Sequence, residues 1–112
     1  MLIRCAFFKG TILQEYEESF HTHWQENLVP LWSAFPHLIE LRVMREVESD
    51  NSENPFPLVM AMKFNSKEDI KEALNSPTRW KSKEVSKKLL GMLNGSVIHT
   101  VFDTKQFSPI FD

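Results

Sequence analysis

The sequence predicts an α+β domain whose strands and helical regions follow the order strand-helix-strand-strand-helix-strand around one four-stranded antiparallel sheet. Three observations predict it. Residues 2–8, 58–64 and 97–103 are short apolar runs of strand length, and residues 37–48 alternate apolar and polar. Between the first and second of these lies a stripe of apolar residues at spacings of three and four. Between the third and fourth, two serines stand where helix starts belong.

Taken in order, residues 2–8 read as a buried strand bounded by Lys9-Gly10. Thr11 followed by Gln14 resembles a capping box. Tyr16, Phe20, Trp24, Leu28, Leu31 and Phe35 then predict a helix running to about Ala34, kinked or ended near Val29 by Pro30. In residues 37–48, Ile39, Leu41, Val43 and Val47 share one strand face, and Glu40, Arg42 and Glu46 largely hold the other. Residues 49–57 are rich in Ser, Asn, Asp and Pro and read as the connection of two antiparallel strands. Leu58 to Phe64 is the next strand. Ser66 then caps a helix with acid in its first turn, which buries Ile70, Ala73 and Leu74. Ser76-Pro77 restarts the helix, with Pro at the first helical position, and Gly91 or Gly95 stops it. Residues 1–103 therefore form one domain, and residues 104–112 are an apolar tail expected to pack on the domain or on a partner.

Composition narrows the function classes. A chain of 112 residues has room for one domain, and nine Phe with three Trp supply bulky core material. Thirteen basic against fifteen acidic residues leave no nucleic-acid footprint. The densest basic stretch, Arg79 to Lys88, includes Glu84 and reads as a solvated helix face. Cys5 is the sole cysteine, so an internal disulfide is excluded; inside an apolar strand it reads as a small hydrophobe. No run approaches the ~20 apolar residues that span a bilayer, and the N-terminus lacks a signal-peptide pattern. A cytoplasmic location with no membrane partner is the expectation.

A homodimer is expected on packing grounds. Right-handed crossovers place both helical regions on one face of the sheet. The first and third strands are apolar at nearly every position, as in a sheet covered on both sides. A second copy, sheet against sheet, supplies the second cover.

Phe20-His21-Thr22-His23-Trp24, Pro30-Leu31 and Phe35-Pro36-His37-Leu38, with Phe64-Asn65-Ser66 and Ser76-Pro77 further on, resemble the EthD-like family of the dimeric α/β-barrel superfamily across essentially the whole chain. The resemblance implies a ferredoxin-like fold, two sheets closing a barrel in the homodimer, and a ligand cavity beside the sheet. It implies chemistry on ethers, aromatic compounds, lactones or polyketide-type molecules. His23 matches the family's first helix histidine. Three positions depart: Trp24 replaces a tyrosine, Leu28 a second helix histidine, and His37 a glycine.

The candidate site residues follow. His23, embedded in the aromatic stripe, is the candidate general acid/base, since an imidazole titrates near neutral pH. Tyr16, Phe20 and Trp24 on the first helix, His99 on the last strand and Arg42 on the second are candidates for the substrate pocket. Arg4, Arg42 and Arg45 sit on strands and need anions, either Glu40 and Glu46 or an acidic ligand. His21 and His23, two apart on a helix, point to different sides, so no metal site is expected. The function expected is binding of a hydrophobic, aromatic or polyketide-type small molecule, with proton transfer of isomerase or ring-closure type by His23. The alternatives are a non-catalytic dimeric ligand-binding or stress-associated module, and a cofactorless or haem-type monooxygenase of the same superfamily. No motif calls for a cofactor, and whether the chain is an enzyme stays open.

Overall fold

The computed structural model describes residues 1–110. Four strands, β1 (Leu2–Ile12), β2 (Glu40–Arg45), β3 (Leu58–Phe64) and β4 (Leu93–Asp103), form one antiparallel sheet in the order β2-β3-β1-β4. The predicted α+β, ferredoxin-like order is the observed one. The β3 bounds are those expected from the apolar run. Strands β1 and β4 are longer than expected because they continue past Gly10 and Gly95, which face each other in the ladder. A side chain at either would press into the opposite backbone, and Gly10 adopts φ +134°, so the two strands cross there only as glycines. Thr11 accordingly pairs with Asn94 inside the sheet and caps no helix. Val47 lies beyond the end of β2 and is solvent-exposed, unlike the partly buried Leu41 and Val43.

The first helical region is broken into pieces. A 3-10 turn (Gln14–Tyr16) leads into α1 (Glu17–His23), a π-helical turn (Trp24–Leu28) and the short α2 (Val29–Trp32). Pro30 has no N–H to donate, and the Val29 N–H reaches back five residues to the Trp24 carbonyl. The widened turn holds more residues, so the buried stripe passes from Phe20, Trp24 and Leu28 to Trp32 instead of Leu31. Tyr16, at the start of the stripe, is exposed.

The second helical region is α3 (Lys67–Leu74) and α4 (Pro77–Leu90), both begun as their sequence directs. The Ser66 hydroxyl accepts from the Asp69 N–H at 3.1 Å, and the Ser76 hydroxyl accepts from the Arg79 N–H at 3.2 Å. His37, in the turn entering β2, has φ +64°, the left-handed region that glycine fills without penalty. Its ring contacts Glu72 and Asp69 on α3, which hold the turn to that helix.

All helices lie on one face of the sheet, over Ala6 and Phe8 of β1, Leu58, Met60, Met62 and Phe64 of β3, and Leu93 of β4. The other face carries Ile3, Cys5 and Phe7 of β1, Val59 of β3, and Ile98 and Phe102 of β4 by strand alternation. Phe7 contacts Phe56 and Phe102 edge-to-face. Phe102 and Ile98 stay about half exposed, at 45% and 47%. In the tail, Phe107 and Ile110 are exposed, and Phe111 and Asp112 lie outside the described residues. No described helix is long and apolar enough to cross a membrane.

Candidate functional site

A cavity of about 400 Å³ lies between α4 and the β1–β4 half of the sheet. Its apolar floor comes from Ala6 and Phe8 of β1, Met60 of β3 and Val97 of β4, with Trp32 and Phe35 closing one end. Cross-strand register brings these residues together: Ala6 lies opposite Met60 on one side and His99 on the other.

The roof is one face of α4. Arg79, Ser82, Lys83, Ser86 and Leu90 recur at spacings of three and four and all border the cavity. The stretch read from sequence as a solvated helix face is therefore half cavity wall. The two serines keep the wall low. Each turns its hydroxyl onto the helix backbone, Ser82 donating to the Arg79 carbonyl at 2.8 Å and Ser86 to the Ser82 carbonyl at 2.6 Å. Trp80 stands half exposed at the mouth between the cationic ends of Arg79 and Lys83, 5.7 and 5.6 Å from its ring centre.

His99 projects into the cavity from β4 beside Arg4 of β1. Partial burial, then the positive charges of Arg4, Arg79 and Lys83, push its pKa down to about 4. At neutral pH the ring is uncharged and holds a lone pair, as a base requires. Arg4 is 8% exposed, and burial followed by the nearby Arg79 charge lowers its pKa from the ordinary arginine value.

The other expected site residues fall elsewhere. His23 is buried, with both ring nitrogens engaged: Nε2–H donates to the Val85 carbonyl at 3.2 Å, and the Asn27 amide donates to Nδ1 at 3.1 Å. It borders a separate, shallower hollow with Glu26, Pro30, Lys81 and Lys88. Phe20 is fully buried core. Trp24 is buried too, its indole N–H donating to His21 Nδ1 at 3.0 Å. Partial burial, then Arg45, lowers the His21 pKa. Tyr16 lies outside the cavity lining. Arg42 points from the opposite sheet face and pairs with Glu40 at 2.5 Å. Of the six, the cavity takes in His99 alone. Sequence reasoning missed the α4 wall, which faces Arg4, one of the three strand arginines it had named as needing an anion.

Cys5 is buried on the far sheet face, where burial raises its thiol pKa, an inert setting. His37, Asp69 and Glu72 bring three donor atoms within 4.8 Å of one another at the surface.

No protein-family model and no curated protein matches the chain. Solved structures do. An ethyl tert-butyl ether D (EthD) family protein from Bacillus halodurans superposes with a TM-score of 0.77 at 22% identity, over 94% of this chain and 99% of the other. A dimeric ferredoxin-like protein of unknown function from Jannaschia gives 0.66 at 15% identity, over 92% and 98% of the two chains. A putative antibiotic biosynthesis monooxygenase from Nitrosomonas europaea gives 0.60 at 8% identity, over 93% and 98%. These likenesses, at 22% identity and below, show a ferredoxin-like fold for the chain.

Proposed function

We propose that the protein acts as a homodimer that takes an apolar, aromatic-sized molecule into the cavity between α4 and the sheet, with His99 as general base on a carbonyl or lactone substrate. The observation that carries this reading is a neutral histidine facing an aromatic- and methionine-lined cavity with cations at its rim. An enolate formed by proton abstraction would meet the Arg79 charge, which stabilises developing negative charge. The proton role moves from His23, the residue the family resemblance favours, because both ring nitrogens of His23 already have partners outside the cavity. The pairing of copies is supported by the half-exposed Ile98 and Phe102 on the uncovered sheet face. The exposed Phe107 and Ile110 of the tail are then free to lie on the second copy.

The test is deuterium uptake at the carbon next to the carbonyl of 2-tetralone, followed by NMR in D2O. The wild type should exceed buffer, and His99→Ala should lower the rate by about a hundredfold or more. An unchanged rate in His99→Ala would remove the base from His99. The second reading is non-catalytic binding. It is favoured by one observation: among the described residues no carboxylate lies within ion-pair distance of His99 to orient its ring. If 2-tetralone binds and exchanges no faster than in buffer, that reading holds.

A further inference from the structure

We infer that the ligand of this cavity is an aromatic carboxylic acid whose carboxylate is held by Arg4. The inference rests on the cavity being the ligand site and adds the charge of what enters it.

Arg4 stands on the helix-facing side of β1 at 8% exposure, and it borders the cavity. A buried guanidinium without a counter-charge is strongly unfavourable, so it is retained where an anion completes it. The two acids that the sequence offered are both engaged elsewhere. Glu40 pairs with Arg42 on the opposite sheet face, and the Glu46 carboxylate accepts from the Phe56 N–H at 3.0 Å. Among the described residues no carboxylate lies within 4.0 Å of the Arg4 guanidinium.

The surroundings make the imbalance larger. Arg4, Arg79, Lys83 and Lys87 all border the cavity against one carboxylate, Glu84, whose oxygen lies 3.0 Å from Lys87. The chain as a whole carries a net charge of −2, so this concentration of cations is local. Lysines at a helix surface would by themselves mean little. Arg4 differs because it comes from the sheet floor, beneath that surface. The chemistry selects the anion as well: a planar fork of donors at the end of an apolar slot matches a planar carboxylate two-pronged, with an aromatic body beyond it between Phe8, Trp32 and Met60.

The experiment is calorimetric titration of the full chain with 2-naphthoate and with 2-naphthamide, which differ by the charge at one end. The wild type should bind the acid at least tenfold more tightly than the amide, as a charge-assisted contact requires. Arg4→Met keeps the side chain's length and removes the charge. It should bring the two affinities together while leaving that for the amide nearly unchanged. A companion NMR titration should show the His99 pKa rising when the acid binds, as its anion offsets the Arg4 and Arg79 charges, and staying put with the amide. Equal wild-type affinities for acid and amide would overturn the inference and leave the cavity reading intact. A preference that persists in Arg4→Met would overturn it too, placing the anion on the surface lysines or the Arg4 counter-charge on a second copy. If a folded wild type binds neither probe, the cavity reading itself fails. Should Arg4→Met not fold, the wild-type ratio still decides, and Arg79→Gln should lower it in the same direction.

Discussion

Replacing Ile98 on the uncovered sheet face separates the two terms that would hold a dimer together. Ile98 pairs with Phe7 in the β1–β4 ladder and shares its face with Phe102, and 47% of it is exposed in a single copy. Burying a whole isoleucine side chain contributes ~1.5–3 kcal/mol, so the half still exposed offers ~1 kcal/mol. A two-fold axis places the same residue in the interface twice, which makes ~2 kcal/mol for Ile98→Ala. That is about a thirtyfold rise in the dimer dissociation constant. Ile98→Asp removes the same apolar area and also buries two carboxylates, each at a desolvation penalty of several kcal/mol. It should be monomeric throughout a micromolar concentration series. Sedimentation velocity measures both dissociation constants, and circular dichroism checks that the fold is kept. A wild type that is monomeric across the series would refute the packing argument, as would a native-like Ile98→Asp that stays dimeric.

Other outcomes follow from single side chains. His99 is protonated less readily in the fold, at about 4, than an ordinary histidine near 6.5. The unfolded chain therefore binds more protons between those values, and His99's share of stability is full above 6.5 and lost as pH falls towards 4. NMR titration of the ring should give the low midpoint, and Arg4→Met should raise it. His23→Ala should cost ~2–4 kcal/mol in urea unfolding, because it leaves a buried void and takes partners from Val85 and Asn27. The same variant should leave 2-tetralone exchange per folded molecule unchanged. Ser76→Ala should cost ~1–2 kcal/mol, since the hydroxyl accepts from the Arg79 N–H at 3.2 Å and donates to the buried Ala73 carbonyl at 2.6 Å. A loss below ~0.3 kcal/mol in the same assay would mean that α4 does not depend on its cap.

The elements legible in the sequence were those set by local chemistry. Ser66 and Ser76-Pro77 start helices because a hydroxyl or a ring satisfies amide positions a few residues away, and β3 is a run apolar on both faces. The illegible ones depend on distant partners. Gly95 reads as one of two possible stops for the helix, yet it lies inside a strand, because Gly10 opposite it lets two backbones meet closely. Thr11 and Gln14 have capping-box spacing, but the β4 ladder claims Thr11 first. The cavity was hard to read for a related reason. His23 sits in the aromatic stripe, and an aromatic stripe is what a helix buries, so it borders core and a shallow hollow rather than the cavity under α4. The cavity wall on α4 carries Arg79, Ser82, Lys83 and Ser86, residues a solvated face would also carry. Only the sheet lying beneath them distinguishes the two.

The sheet joins these readings, because alternation along β1 assigns its residues to different tasks. Ile3, Cys5 and Phe7 look to the uncovered face, while Arg4, Ala6 and Phe8 look to the cavity. A slip of one residue would exchange the two sets, placing Phe7 in the cavity and Arg4 on the apolar face. The register of β1 therefore decides together whether copies can pair and whether a charge reaches the cavity floor. The close crossing at Gly10 and Gly95 fixes that register, since a slip would set a side chain against backbone there. His37 acts in the same sense at the far side of the sheet: its left-handed turn, tied to Asp69 and Glu72 on α3, sets where β2 begins. The chemistry of the cavity thus depends on backbone contacts made well outside it.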